Sequence, residues 1–303
     1  MERSSLLLER QEAAQLDLSI VIPIYNDTLK FHNVLTSYRK AFEGSSVSYE
    51  LVIVDNNSPK IAEIVSLILT YKESMNLVFV QQPKLLHPFS LCGARNRGVA
   101  NARGTYIFFT DSDCMIDQAF VRSFEQLLQK RTEQVAIFTG ERVFVKISED
   151  PIAETAILAT IPKLERTPSA SNYGKEKDRR FPWIENLPDQ AHPWNFVHGC
   201  FILLKKEDYL AVGGSDTRYD GNWGYEEIDL IYRMVSQLGA KVYYLPEAKV
   251  FHQELPEDLK KIGENAARTN KSQNPNYLRI CELIEGFDDF KKLQWDTLKV
   301  KTS

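Results

Sequence analysis

Cysteine is scarce in this chain of 303 residues, which contains only four, and the four lie far apart. No two of them form a C-x-x-C pair, and their spacing matches neither a zinc site nor the disulfide framework of a small secreted domain. We therefore expect a reducing compartment and a cytoplasmic protein. The four are Cys92, Cys114, Cys200 and Cys281.

Long apolar runs are also missing from the sequence. A membrane-spanning helix needs about 20 consecutive apolar residues, and no segment approaches that length. The N-terminal residues contain one run of three leucines, which is too short for the core of a signal peptide. The sequence therefore predicts no transmembrane segment, and it is compatible with peripheral contact at the inner face of a membrane.

Positive charge is not in excess, since the net charge is −4, so we expect no nucleic-acid partner. Three common catalytic signatures are absent as well. There is no G-x-G-x-x-G after the first apolar run, no G-x-x-x-x-G-K-[ST] and no G-x-S-x-G. These absences argue against dinucleotide oxidoreductases, P-loop NTPases and α/β-hydrolases.

Strand-like and helix-like segments alternate through the first half of the chain. Apolar runs at residues 18–24, 50–55, 76–81 and 105–110 are typical of strands buried on both faces, and helical periodicity follows each of them. Such alternation predicts an α/β fold with a mostly parallel sheet. Further strands are expected at residues 136–147, 196–206, 241–246 and 248–254, and further helices near 207–212, 225–238 and 277–284.

Polar residues follow the predicted strands where each strand ends. Because ligands of open α/β sheets bind beyond the carboxyl ends of the strands, we expect these residues to line a binding edge. They are Asn26, Asp27, Asp55, Asn56, Asn57, Asp111 and Asp113.

Two aspartates separated by one serine, Asp111 and Asp113, end a buried strand, and two like charges this close repel each other. A divalent cation would relieve the repulsion, and so would solvation in an ordinary turn. His252 ends an apolar strand in the second half of the chain, where it is either structural or a further ligand. Mixed carboxylate and imidazole ligation favours Mn²⁺, with Mg²⁺ as the alternative.

An acidic pair, Glu226 and Glu227, begins a predicted helix directly after Trp223 and Gly224. Carboxylates in a first helical turn interact favourably with the helix dipole, which is the simpler explanation. The functional explanation is a base held at the helix start and facing the sheet edge. In the segment GARNRG, Arg95 and Arg97 offer guanidinium groups suited to phosphate.

Four segments in this order resemble the inverting family-2 glycosyltransferases of the GT-A fold. They are LSIVIPIYNDTLKFHNVLTS, ELVIVDNNSP, GARNRGVANARGTYIFFTDSDCMI and GCFILLKKEDYLAVGGSDTRYDGNWGYEEIDLIYRM. The third contains a DXD motif. The fourth resembles the tryptophan-glycine-acidic-pair motif of relatives that transfer galactose or N-acetylgalactosamine. The resemblance covers residues 18–253 and implies a Rossmann-like sheet flanked by helices, with a partly helical tail.

The resemblance also implies roles for individual residues. Asp113, Asp111 and His252 would bind the metal, and Asp111 would also contact the ribose or the sugar. Glu227 would be the catalytic base and Glu226 would hold the acceptor. Asn56 stands where the family usually has a second aspartate. The residues implied to border the donor are Pro23, Tyr25, Asp27, Asp55, Arg95, Gly199, Cys200 and Trp223, with Arg95 near the diphosphate.

The implied reaction moves a hexose or N-acetylhexosamine from a UDP-sugar to a hydroxyl of a glycan, a lipid-linked glycan, a peptide or a small molecule. UDP is favoured over GDP because the relatives with the acidic pair use UDP. Two alternatives are a sugar-phosphate nucleotidyltransferase, whose glycine-rich N-terminal loop is missing here, and a silent nucleotide-sugar binder, which would lack the acidic pair.

These expectations divide the chain into five parts. Residues 1–17 form an extension, 18–147 the nucleotide-sugar-binding half, and 198–253 the acceptor and catalytic half. Residues 148–197 are rich in proline and charge and have poor periodicity, so we expect a flexible acceptor-side loop. Residues 254–303 form the C-terminal tail.

Overall fold

The computed structural model describes residues 15–82, 90–130, 134–168, 180–260, 274–289 and 291. Within these residues one sheet of eight strands forms the centre of the molecule, in the order β3-β2-β1-β4-β7-β6-β8-β5. The strands are β1 Leu16–Ile24, β2 Tyr49–Asp55, β3 Leu77–Gln81, β4 Gly104–Phe109, β5 Cys114–Met115, β6 Ala136–Lys146, β7 Ile202–Lys205 and β8 Lys241–Glu254.

Helices cover both faces of this sheet. They are α1 Thr28–Ala41, α2 Ile61–Tyr71, α3 Leu91–Asn101, α4 Gln118–Gln129, α5 Ile157–Thr160, α6 Lys206–Ala211, α7 Glu226–Leu238, α8 Pro256–Lys260 and α9 Pro275–Leu283. Several begin as the sequence predicts. For example, the Asp117 carboxylate accepts the N–H groups of Ala119 and Phe120 at the start of α4, which satisfies two of the unpaired donors there.

The α/β fold class is confirmed, and the parallel strands are concentrated in the first half. β3, β2, β1 and β4 pair in parallel. In the second half β7 is antiparallel to both β4 and β6, whereas β6 and β8 are parallel. The sheet is therefore mixed, with its parallel part on the side where the predicted binding edge lies.

Alternate residues of β1 pack on opposite faces of the sheet. Leu18, Ile20 and Ile22 belong to the apolar cluster that includes α1 and α4, and Val21 belongs to the cluster that includes α3 and α7. All four side chains are fully buried. Burial on both faces explains why the strand reads as a continuous apolar run.

The two strands predicted at residues 241–246 and 248–254 are one strand, β8, which contains a bulge. Its pairing with β6 shifts from Thr139 opposite Tyr244 to Glu141 opposite Lys249, so residues 245–248 face Gly140 alone. A Cβ at Gly140 would lie 2.2 Å from the Ala248 carbonyl oxygen, so this close approach requires glycine. The sequence prediction was wrong here because a bulge looks locally like a break between two strands.

The strand predicted at residues 196–206 is shorter in the structure. Residues Pro193–Phe196 form a 3₁₀ turn and His198 pairs with Phe201 in an isolated bridge, so β7 begins only at Ile202. Of the segment predicted as a flexible loop, residues 148–168 and 180–197 are folded. They contain α5 and 3₁₀ turns, and the buried Arg180 donates to the carbonyl oxygens of Gly140 and Phe196. Residues 169–179 lie outside the described residues, and the acceptor role stays a prediction.

Candidate active site

The carboxyl ends of β2, β1 and β4 lie side by side, because these strands are neighbours in the sheet. Asp55 ends β2 with no exposed surface, and its carboxylate accepts the backbone N–H of Ser58. Burial raises the pKa of Asp55, and the hydrogen bonds from Ser58 oppose that shift. Asn26 and Asn57 have positive φ angles of 62° and 61°, so the turns after β1 and β2 bend sharply at this edge.

The residues implied to border a nucleoside occupy the same edge. Pro23 lies in β1 opposite Val54, and Tyr25 follows the strand with 52% of its surface exposed. Asp27 is the N-cap of α1 and accepts the backbone N–H of Lys30. The exposed ring of Tyr25, two residues before Asp27, is compatible with binding a base and ribose, and that binding role stays a prediction.

Strand β5 brings the two aspartates of the DXD motif to His252. Cys114 of β5 pairs with His252 of β8, and potential ligand atoms of Asp111, Asp113, Cys114 and His252 all lie within 4.8 Å of one another. Oδ2 of Asp113 is 3.4 Å from Nε2 of His252. The predicted convergence of Asp111, Asp113 and His252 is therefore present in the structure, and their donor set fits a divalent cation.

Charge is concentrated in this cluster. Burial and the neighbouring Asp113 raise the pKa of Asp111, while Arg95 opposes the shift. Burial would lower the pKa of His252, but Asp113 and Glu254 outweigh it and raise that pKa to about 9. A cation at this position would therefore compete with a proton on His252.

Three residues around the cluster were missed in the sequence. The Cys114 thiol lies 3.6 Å from Oδ1 of Asp113, and Oε1 of Glu254 lies 3.3 Å from Nδ1 of His252. The Gln253 amide, fully buried, donates to the Asp113 carbonyl oxygen at 3.1 Å. A carboxylate behind an imidazole is a common way to orient a histidine ligand, so the spacing of Glu254 two residues after His252 was a usable signal.

The acidic pair lies at the first turn of α7, as predicted. Glu226 is buried, and its Oε1 is 3.4 Å from Nη1 of Arg95 on α3. The other terminal nitrogen of Arg95 donates to the carbonyl oxygen of Gly199 at 3.0 Å. Gly199 is suited to this contact because a Cβ there would lie only 2.9 Å from the guanidinium.

One guanidinium does not neutralise both glutamates. Burial and the adjacent Glu227 raise the pKa of Glu226 to about 8, and Arg95 opposes the shift. The protonated form of Glu226 is therefore favoured near neutral pH. The buried Oε2 of Glu227 has no hydrogen-bond partner within the described ranges. This leaves a carboxylate oxygen ready to accept a hydrogen bond.

Arg95 has different partners from those that the resemblance implied. Its side chain is only 2% exposed and is held by Glu226 and Gly199 rather than projecting into the open edge. Cys200 likewise has a buried side chain, whose thiol interacts with that of Cys114. Trp223 is 56% exposed on the loop before the acidic pair. Asp229 points away from the pair and forms an ion pair with Arg233.

A family model described as Glycosyl transferase family 2 matches residues 19–213 of this chain. The chain belongs to glycosyl transferase family 2. The matched range contains the nucleotide-side residues and the DXD motif. The acidic pair and His252 lie beyond its end, so their assignment depends on the geometry described above.

Curated relatives of this family-2 chain are named for glycan synthesis. It is 24% identical to the chondroitin synthase of Escherichia coli over 283 residues, which is 88% of this chain and 40% of that protein. It is 35% identical over 238 residues to the amylovoran biosynthesis glycosyltransferase AmsB of Erwinia amylovora, covering 75% of this chain and 66% of that protein. The chain thus spans less than half the length of the chondroitin synthase.

Solved structures confirm the GT-A-like fold. The structure of GalNAc-T7 with UDP, GalNAc and Mn²⁺ superposes with a TM-score of 0.56 at 17% identity, over 89% of this chain and 48% of that one. A structure of Staphylococcus aureus TarS, residues 1–349 in complex with UDP-GlcNAc, superposes with a TM-score of 0.51 at 13% identity. The match covers 79% of this chain and 59% of that one. Among the described helices of this family-2 chain, none is long and apolar enough to cross a membrane.

Proposed function

We propose that this chain is a metal-dependent, inverting glycosyltransferase that transfers a hexose or N-acetylhexosamine from a UDP-sugar to a hydroxyl acceptor. The observation that carries the proposal is that Arg95 lies between two pairs of carboxylates. One pair is Asp111 and Asp113, and the other is Glu226 and Glu227. The pKa of Arg95, which burial alone would lower, is raised by Glu226 and by Asp111, so both pairs lie within reach of its charge. The first pair suits a leaving diphosphate and the second suits an attacking hydroxyl.

Asp111, Asp113 and His252 would hold Mn²⁺ or Mg²⁺. The cation would supply the positive charge that stabilises a departing nucleoside diphosphate. The chain itself prepares this site. Gln253 holds the backbone of Asp113, and Glu254 stands behind His252. The bond from Gln253 would fix Asp113 before any ligand arrives, and Glu254 would orient the ring of His252.

Glu227 is the proposed catalytic base. Its Oε2 would accept the proton of the acceptor hydroxyl while that hydroxyl attacks the anomeric carbon from the face opposite the leaving group, which inverts the configuration. Glu226 keeps its own proton and, with Arg95, limits the negative charge of the pair. Arg95 therefore serves the acidic pair in this proposal, which replaces the contact with the diphosphate that the resemblance implied.

Donor binding is assigned to the sheet edge. Asp55 would hydrogen-bond the base, Pro23, Tyr25 and Asp27 would border the nucleoside, and Gly199 would lie beside the sugar. Two structural neighbours, GalNAc-T7 with UDP, GalNAc and Mn²⁺ and TarS with UDP-GlcNAc, support UDP as the nucleotide. The acceptor is a glycan, lipid-linked glycan, peptide or small molecule, and the cytoplasmic location stays a prediction from cysteine usage.

A panel of nucleotide sugars tests this function. The purified chain is incubated with UDP-, GDP- and dTDP-sugars and Mn²⁺, and nucleoside diphosphate release is measured with and without candidate acceptors. We expect UDP release from one UDP-sugar, slow with water as the acceptor and faster with the correct hydroxyl. Formation of nucleoside triphosphate and sugar phosphate in a parallel incubation with added pyrophosphate would instead favour a nucleotidyltransferase, and no release from any donor would favour a silent binder.

The raised pKa of Glu226 predicts a pH-dependent stability. A carboxyl group whose pKa rises on folding, here from 4.5 to about 8, stabilises the fold fully below the unfolded-state pKa. That stabilisation is lost as pH rises through about 8. We expect the free energy of unfolding of the wild type to fall relative to that of Glu226→Gln between pH 4.5 and 8, because glutamine does not titrate. Urea unfolding of both proteins across this range measures the difference, and a pH-independent difference would contradict the assignment.

A further inference from the structure

The loop that leads into the acidic pair contains one residue, Tyr225, in an unfavourable backbone conformation. Three of its residues, Gly221, Gly224 and Tyr225, have positive φ angles of 94°, 89° and 72°. Tyrosine rarely adopts this conformation, and Tyr225 is the N-cap of α7, directly before Glu226. Its side chain makes no capping hydrogen bond to the helix. Contacts from elsewhere must therefore hold the backbone that places the two glutamates.

The C-terminal segment supplies these contacts. The Asn276 amide nitrogen on α9, 1% exposed, lies 3.0 Å from the Tyr219 carbonyl oxygen, 3.2 Å from that of Asn222 and 3.0 Å from that of Gly224. The Asn274 amide donates to the Trp223 carbonyl oxygen at 3.0 Å. Two buried asparagines thus bind four carbonyl groups of residues 219–224.

Aromatic packing and a second anchor complete the support of this loop. The Tyr225 ring packs edge-on against Tyr277 of α9, with ring centroids 5.3 Å apart. On the other side, the Asp220 carboxylate accepts the backbone N–H groups of Cys92 and Gly93 at 2.8 Å and 3.0 Å, at the start of the helix that carries Arg95. The loop is therefore held between α3 and α9, and α9 reaches the part nearest the glutamates.

We propose that Asn276 is a positioning residue for the acidic pair and that α9 is part of the active-site structure rather than an accessory tail. The inference rests on the proposed function of Glu227. An asparagine suits the position because its amide nitrogen carries two hydrogens that three converging carbonyl oxygens share. Without these hydrogen bonds, the strained backbone conformation at Tyr225 would lose its stabilisation. The backbone would relax, and the two glutamates would move from their positions. Displacements of about 1 Å at a reacting group can cost about 10²-fold in rate.

Asn276→Asp is the most direct test, since it keeps the shape and removes the amide hydrogens. We expect kcat for UDP release to fall about 10- to 100-fold, while the Kd for UDP with Mn²⁺ changes less than about threefold. Asn274→Ala is a second variant, which removes the bond to Trp223 and also the N-cap of α9, because Oδ1 of Asn274 accepts the backbone N–H of Asn276. Leu278→Ala is the matched control, because Leu278 lies on α9 with 51% of its surface exposed. We expect Leu278→Ala to behave as wild type.

Hydrogen exchange gives a readout that does not require activity. Amides of residues 219–229 should exchange at least about 10-fold faster in Asn276→Asp and Asn274→Ala than in the wild type, with β1 to β4 unchanged. Unchanged exchange in this loop, or wild-type kcat in the folded variants, would overturn the proposal. If instead Glu227→Gln retained full activity while the loop exchanged faster, the role of Glu227 would fail and the support of the loop by Asn276 would stand.

Discussion

Replacing Glu227 with glutamine is expected to lower kcat by about 10²- to 10⁴-fold, the usual contribution of a general base. Glutamine keeps the size and polarity of the side chain and cannot take a proton from the acceptor. The Kd for UDP with Mn²⁺ should change little, since the proposed base would contact the acceptor and not the nucleotide. UDP release from the donor identified in the panel measures the rate even with water as the acceptor, so the natural acceptor is not needed.

Glu226→Gln is the matched control for this prediction. With a pKa of about 8, Glu226 is protonated at neutral pH, and glutamine resembles a protonated glutamic acid in shape and hydrogen bonding. We expect this variant to keep its rate at pH 7 within about tenfold of the wild type, well above Glu227→Gln. Loss of turnover in Glu226→Gln together with activity in Glu227→Gln would reverse the two roles.

Removal of divalent cations is expected to lower UDP release at least about 100-fold, because a metal ion contributes several kcal/mol to the stabilisation of transition-state charge and about 1.4 kcal/mol corresponds to a factor of ten. Mn²⁺ should restore the rate best and Mg²⁺ less well, given the imidazole of His252 beside two carboxylates. Rates after EDTA treatment and after titration with each metal give the comparison.

Asp113→Asn and Asp117→Asn form a matched pair for the metal site. Asp113 lies in the cluster, so its replacement should raise the Mn²⁺ concentration needed for activity by at least about tenfold. Asp117, four positions later, caps α4, and asparagine caps helices about as well as aspartate. Its replacement should leave the metal requirement unchanged. Full activity in EDTA would rule out the proposed metal dependence.

Local patterns predicted the parts of the fold that depend on neighbouring residues. β1, β2 and β4 are buried on both faces and therefore stand out as apolar runs, and Asp117 precedes a clear helical period. The polar residues after these strands also meet as expected, because adjacent parallel strands end at one edge. Position in the sequence was therefore enough to bring these residues to one edge of the sheet.

The remaining features depend on contacts between distant segments. Arg95 and Glu226 are separated by 131 residues, and nothing near Arg95 in the sequence indicates that it faces a carboxylate rather than phosphate. The bulge opposite Gly140 and the binding of the loop at residues 219–224 by Asn276 likewise arise from packing of distant elements. The polar C-terminal tail has only a weak helical pattern, so its contact with the acidic-pair loop had no local signal.

In the proposed function, a nucleoside diphosphate binds at the sheet edge through a cation held by Asp111, Asp113 and His252. Calorimetric titration of UDP into the wild type and Asp113→Asn, each with Mn²⁺ and with EDTA, tests it most directly. We expect UDP to bind the wild type with Mn²⁺, and this binding to weaken at least about tenfold in EDTA or in Asp113→Asn. Equal UDP affinity in all four titrations, or no UDP binding in any of them, would contradict it.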